Sequence, residues 1–321
     1  MFFLQLRMMI LVSILFAIIY AAVVMIGTAM GLQNFYFYLF ISFAMMFGQY
    51  LLGPKIIEWT MRIRYIKRED NPKVYGMVEE QAMRANVPMP KVCIAPMAIP
   101  NAFAFGRGQK DGRVCVSEGI MNLLSPEELK AVIGHEMAHI RNRDVITMTL
   151  LSVIPMIMYR IAWHFMFYGN HGRDRRDNGG GTIAIGVVAF LFYFITNMLV
   201  LYASRVREYF ADKGSVEFGN RPEALASALY KLVYGSARVD KEALKETEGL
   251  KAFFINDPSN ALNEIKELRQ LDVDKSGTID PHELLMLQNK TLKLSFGDYL
   301  MESFSTHPNM LKRIKHLSSL S

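Results

Sequence analysis

Two long apolar runs near the N-terminus constrain this chain more than any other feature. Residues 8–30 are 23 positions without a charge, and residues 35–53 are another 19. At about 1.5 Å per residue, a helix of either length crosses a hydrocarbon core of roughly 30 Å. Only residues 31–34 separate the runs, so the sequence predicts a tight helical hairpin. The first run is too long for the apolar stretch of a cleaved signal peptide, and a second span follows at once with no cleavage-like segment between.

Basic residues orient the hairpin. Arg7 precedes the first span, and Lys55, Arg62, Arg64, Lys67, Arg68 and Lys73 follow the second, whereas the connector is uncharged. Both outer ends are therefore expected on the cytoplasmic side. The net charge of +6 fits these membrane-flanking clusters, and no basic and aromatic constellation points to nucleic acid. Cys93 and Cys115 fall in apolar alternating stretches of the cytoplasmic part, where reduced, buried thiols are the default.

Further along, residues 91–95, 102–105 and 114–117 are short β-favouring runs separated by Pro and Gly turns, which predicts a small sheet. Ser125-Pro126-Glu127-Glu128 then opens a helix: Ser125 can cap free amides, Pro126 suits the first helical position and Glu128 completes a capping box. That helix is expected to run on into a third apolar segment, residues 145–159, which Pro155 interrupts. A fourth segment covers residues 182–204. The expected organisation is a transmembrane hairpin over 1–55, a first catalytic part over 56–144, a second apolar hairpin over 145–204, and a charged helical part over 205–321.

The central chemical motif is His135-Glu136-Met137-Ala138-His139. On a helix, positions i and i+4 share a face, so the two imidazoles can converge on one tetrahedral metal while Glu136 acts as general base. A catalytic zinc site needs a third protein ligand and an open fourth position. Glu208 is the candidate ligand, and Asp212, one turn on, can accept a hydrogen bond from the second nitrogen of a ligand imidazole. Taken alone, such a Glu/Asp pair beside arginines is more often a surface salt-bridge face; the histidine motif reverses that reading. Because the two histidines precede the apolar segment 145–204 and Glu208 follows it, both flanks must lie on one side of the membrane. Two full crossings or a re-entrant pair satisfy this equally.

The run from Ser125 through the metal motif to Asp144, the Arg205-to-Asp212 segment, Asn101-Ala102-Phe103-Ala104 and Ser305-Thr306-His307-Pro308 resemble the HtpX protease homologs, relatives of the CAAX prenyl proteases. The likeness covers most of the chain. It implies a gluzincin fold with one catalytic Zn2+, and cleavage of membrane proteins, often damaged ones, at the cytoplasmic face of the cell membrane. It also implies that His307 assists the tetrahedral intermediate and that Arg313 helps hold the site together. Read without the resemblance, His307 is a turn residue before Pro308. The stretch from Asn101 through Ala102 and Phe103 to Phe105 is either an edge strand that pairs with an extended substrate or an ordinary core strand.

A second metal motif lies outside the pattern that this resemblance implies. Residues 272–283 fit the twelve-residue loop of an EF-hand: Asp272, Asp274, Ser276, Asp280 and Glu283 occupy oxygen-ligand positions, Thr278 offers its carbonyl and Gly277 makes the turn. Helical patterns flank it within residues 261–290. The loop is either a Ca2+ site or a solvated acidic turn; as a Ca2+ site it would order the linker that presents His307 and Arg313.

The sequence thus predicts a mainly α membrane protein: four candidate transmembrane helices, a cytoplasmic α+β zincin domain with a small sheet, and an EF-hand-like insert. Its expected activity is zinc-dependent endoproteolysis of membrane-protein or unfolded polypeptide substrates. The competing reading is a non-catalytic calcium-binding or scaffold protein with a structural zinc. Structural sites usually close with four protein ligands, whereas this one offers three and a general base.

Overall fold

The computed structural model describes residues 35–167, 179–237, 265, 268, 271–288 and 302–321. The expected first span, residues 8–30, lies outside the described residues, as do much of the linker after the third apolar segment and most of the helical pattern before the acidic loop. The described chain divides into two compact units. One holds the described residues up to Leu51 together with Ile146–Ser204; the other holds Leu52–Val145 and Arg205–Ser321.

Three helices enter the first unit: α1 (Phe35–Thr60), α5 (Asp144–Phe167) and α6 (Gly179–Glu217). Helix α1 covers the expected second span. Helix α5 continues through Pro155 and is longer than its clean apolar stretch. Among the described residues, one segment, Ile183–Glu217, is long and apolar enough to cross a membrane. Leu151 and Ile154 of α5 pack on Val200 and Ala203 of α6, and Gly186 lets α6 approach so closely that a Cβ there would meet Met166 at 2.5 Å. The outward side of α6 leaves Val187, Phe190, Leu191 and Phe194 uncovered. A row of this kind is unfavourable in water and natural in lipid.

The second unit is built on a four-stranded sheet of order β1-β2-β4-β3. Strand β1 (Arg64–Tyr65) runs antiparallel to β2 (Lys91–Ala95), β2 runs parallel to β4 (Gly112–Ser117), and β3 (Ala102–Gly106) runs antiparallel to β4. Three of these strands fall on the expected apolar runs; β1, only two residues long, carries no periodicity to reveal it. Alternation splits the sheet's faces. Cys93, Cys115, Phe103 and Phe105 point to one side with Met61, and Val92, Val114, Val116 and Ala102 join the larger helical core. The two thiols are free and buried, as expected.

Helix α4 (Pro126–Arg141) runs through that larger core. Its capping box is formed: the Ser125 hydroxyl accepts from the Glu128 amide and the Glu128 carboxylate accepts from the Ser125 amide. Around it pack α2 (Pro72–Ala85), the C-terminal half of α6 and α7 (Pro222–Ala237), while the short α3 (Glu118–Leu123) follows β4. Helix α8 (Pro281–Gln288) lies against α9 (Met310–Ser318). Gly214 brings α6 onto α4, since a Cβ there would sit 2.5 Å from that of Ala138.

One expectation is corrected. Helix α4 does not run on into the third apolar segment; it stops at Arg141, Asn142 caps it, and Arg143 takes a left-handed backbone with φ 56° before α5 begins at Asp144. The apolar composition of residues 145–159 concealed the break, because polarity continues to suit a helix on both sides of it.

Candidate active site

His135 and His139 lie one turn apart on α4, both buried, with ring centroids 4.8 Å apart and planes perpendicular. Each imidazole has one nitrogen engaged by a carboxylate. His135 Nδ1 is 2.9 Å from Asp212 Oδ1, and His139 Nδ1 is 2.6 Å from Asp144 Oδ2. A carboxylate there holds the proton on Nδ1 and leaves the Nε2 lone pair free for a metal.

The free nitrogens face one another. His135 Nε2 and His139 Nε2 are 3.2 Å apart, and the Glu208 carboxylate lies 3.5 Å from the first and 3.6 Å from the second. Ligands about 2.0–2.1 Å from a tetrahedral zinc are separated by about 3.3–3.4 Å; the two imidazole nitrogens stand close to that spacing, and the carboxylate lies beside both, with Oε2 toward His135 and Oε1 toward His139. Glu208 Oε2 and both ring nitrogens of His307 are buried without a hydrogen-bond partner. Buried polar atoms are seldom left so, and two of these are neighbours: His307 Nδ1 is 3.5 Å from Glu208 Oε2. Two imidazoles and a carboxylate form a donor set suited to zinc.

Glu136 is buried beside the histidines and accepts a hydrogen bond of 2.7 Å from the backbone amide of Ala104 in β3. Burial raises its carboxyl above the ordinary range, against the lowering pull of His139 and His135. The edge strand β3 thus runs directly past the candidate base. Asn101, buried just before β3, exchanges hydrogen bonds with Ser117 through its amide and carbonyl. Ala102 and Phe103 are core residues of the sheet, and it is Ala104 that touches Glu136.

Arg313 of α9 is fully buried and grips Asp212 through Nε and Nη2 at 3.0 and 2.6 Å, while its Nη1 lies 3.2 Å from Glu208 Oε2. Burial would raise both carboxyls; Arg313 for Asp212, and His307 with Arg313 for Glu208, hold them below the usual range. Burial alone would lower His135, but Asp212 and Glu208 raise it to about 9.

Asp144 and Arg207 also belong to the site, although their spacing does not mark them. Asp144 holds His139, and Arg207 Nε stands 3.1 Å from Asp144 Oδ2, so that despite burial the carboxyl of Asp144 stays below its ordinary value. Asp144 follows His139 by five positions, which no helical face would join. The left-handed turn at Arg143 makes the contact.

In the acidic loop, Asp272, Asp274 and Glu283 bring ligand oxygens within 4.8 Å of one another. Backbone amides occupy several of them: Ser276 and Gly277 donate to Asp272, and Val273 and Asp280 donate to Glu283. The Ser276 and Thr278 hydroxyls are 2.9 Å apart, Asp280 caps the Glu283 amide, and Gly277 has the φ of +79° that the turn requires. From α7, Tyr230 donates to Asp272 at 3.0 Å.

The profile of Peptidase family M48 matches residues 68–321. A Protease HtpX homolog of Methanothermobacter thermautotrophicus is 49% identical over 230 residues, 72% of this chain and 86% of that protein. A Protease HtpX homolog of Thermoplasma acidophilum is 33% identical over 312 residues, 95% of this chain and 92% of its own length. The crystal structure of S. mikatae Ste24p superposes with a TM-score of 0.50 at 15% identity, covering 99% of this chain and 67% of that one, which is a likeness of fold.

Proposed function

The chain belongs to Peptidase family M48 and is a metalloprotease, and from that premise we propose that it is a membrane-integrated zinc endopeptidase whose site opens to the cytoplasm. His135 and His139 through Nε2, and Glu208 through its carboxylate, would hold the ion. When bound there, zinc supplies Lewis acidity to the scissile carbonyl and to the attacking water. Glu136 takes the proton of that water and delivers it to the leaving amine, a task suited to a buried carboxylate with a raised pKa. Asp212 and Asp144 orient the two imidazoles, Arg313 anchors Asp212 beside Glu208, and His307, 3.5 Å from Glu208, would stabilise the oxyanion charge that develops in the tetrahedral intermediate.

The observation behind this reading is the meeting of His135 Nε2, His139 Nε2 and the Glu208 carboxylate, with both Nδ1 atoms already committed to carboxylates. A non-catalytic scaffold with a structural zinc has no use for the buried Glu136 beside three ligands. Since His139 and Glu208 meet, residues 145–204 must begin and end on one side of the membrane. The basic residues following α1 favour the cytoplasm as that side. Substrates of the expected class are membrane proteins with unfolded or damaged segments, because an extended chain pairing along the edge at Asn101, Ala102 and Phe103, through the backbone groups that do not face Ser117 and the rest of β4, needs little sequence specificity.

We further propose that residues 272–283 bind Ca2+ and modulate the protease. Asp272, Asp274 and Glu283 converge, Ser276, Thr278 and Asp280 stand at the remaining ligand positions, and α8, which leaves the loop, packs on the helix that carries Arg313.

The test of the main reading is Glu136→Gln, purified with its membrane segments in detergent and given an unfolded polypeptide. Zinc content should match the unaltered protein while cleavage disappears; turnover persisting at the ordinary rate would overturn the mechanism.

A further inference from the structure

Arg205 stands three residues before Glu208 on α6, so the two side chains leave nearly the same side of the helix. Its Nη1 reaches three main-chain carbonyls of one short segment: Glu302 at 2.9 Å, Ser303 at 3.1 Å and Ser305 at 2.8 Å. Those carbonyls sit in a helical turn that the Ser305 amide closes onto the Glu302 carbonyl. The same segment is tied from its other flank, since Glu302 pairs with Lys312 and accepts from the Asn309 amide.

Between these two ties lies His307. Its amide bonds the Ser305 hydroxyl at 3.2 Å, and two residues on, Asn309 caps α9. The backbone at 305–308 belongs to neither helix nor strand, so no ladder of hydrogen bonds fixes the position of the ring. The two ring nitrogens are nonetheless buried, Nδ1 beside Glu208, and neither is hydrogen-bonded. The ring's location therefore depends on what grips the segment before it, and the Arg205 guanidinium, which meets three of that segment's carbonyls, is one such grip.

We propose that Arg205 is a positioning residue for His307: by holding the carbonyls of residues 302–305 from the helical turn that also presents Glu208, it keeps the His307 ring in register with the metal site. Arg205 itself touches no reacting atom. All three carbonyls are met by the one nitrogen Nη1, whose place is fixed by the rigid plane of the guanidinium, whereas a lysine ammonium is a point charge on a flexible stem and grips less firmly. The inference rests on the role given above to His307, and the experiment separates the two.

Arg205→Gln, Arg205→Lys, His307→Ala and the double variant Arg205→Gln/His307→Ala are compared as full chains in detergent. Arg205→Gln should lower kcat about 10- to 100-fold, the scale of losing one aligned catalytic group, with KM and zinc affinity unchanged, and Arg205→Lys should recover part of the loss. In the His307→Ala background the Arg205→Gln change should cost less than about 3-fold, because coupled residues are not additive. In metal-free protein, hydrogen exchange at residues 302–309 should quicken in Arg205→Gln while α4 stays protected. If the full loss persists without His307, or exchange at 302–309 is unaltered, Arg205 does not position His307. If His307→Ala alone retains ordinary turnover, the role given to His307 is wrong, and Arg205 has nothing to position.

Discussion

Asp144 Oδ2 lies 2.6 Å from His139 Nδ1, across the left-handed break between α4 and α5 rather than along a helix face. The contact gives His139 the same support that Asp212 gives His135, and Arg207 neutralises the carboxylate that supplies it. Removing that charge should weaken the ligand. Asp144→Asn is expected to lower zinc affinity about 10- to 100-fold, measured by competition with a chelator, and cleavage should return when zinc is raised to saturation. Activity that stays lost at saturating zinc would assign Asp144 to folding instead.

The closeness of α6 to α4 is a second requirement, because Glu208 and Asp212 ride on α6 while the histidines ride on α4. Gly214 has no side chain to hold the helices apart, and a Cβ there would meet Ala138, the neighbour of His139, at 2.5 Å. Gly214→Ala should destabilise the protein by about 1–3 kcal/mol and weaken zinc binding together with it. Tight zinc binding at an unchanged melting temperature would show that the helices can slide apart without cost.

How far the site was legible follows from these cases. His135, Glu136 and His139 are visible because their spacing is the helix period itself, and Asp212 is visible because it repeats that spacing from Glu208. The capping box of Ser125 and Glu128 is equally local, and it formed. Asp144 escaped because its approach depends on one left-handed residue, Arg143, inside an otherwise helical pattern. Ala104 escaped because the side-chain alternation that marks a strand is silent about which backbone amide meets Glu136. Arg205 and Arg207 read as ordinary charges flanking a helix, since their partners lie about a hundred and about sixty positions away, and spacing along a chain carries no information about such pairs. His307 belongs to the same group, meeting Glu208 from a segment without periodicity.

Glu128 offers a pH dependence whose sign can be worked out. Its burial would raise the carboxyl, but Lys231, Ser227 and the Ser125 amide bond the ionised form and hold it below its ordinary value. A depressed carboxyl contributes stability that is complete above the unfolded value of about 4.3 and is lost as pH falls through the lower folded value. At pH 7, Glu128→Gln should therefore cost about 2 kcal/mol through the weakened cap and the stranded Lys231. The two melting temperatures should converge as pH falls below about 4. A gap that stays constant down to pH 3 would mean that the carboxylate charge contributes nothing to the α4–α7 contact.

The acidic loop connects to the site through packing. Asp272 takes a hydrogen bond from Tyr230 in α7, Glu283 sits in the first turn of α8, and α8 lies on α9, which carries Arg313. Glu283 now accepts from the Val273 and Asp280 amides; a bidentate hold on Ca2+ would draw it away from them and tighten the first turn of α8 against the loop. Ca2+ at fixed zinc should then raise the melting temperature, since a ligand that binds only the folded state stabilises it by mass action, and should change cleavage through α9. Glu283→Gln should abolish both responses while leaving zinc content unchanged. If neither stability nor cleavage responds to Ca2+ in the unaltered protein, residues 272–283 are an acidic turn held by their own amides, and α8 transmits nothing to Arg313.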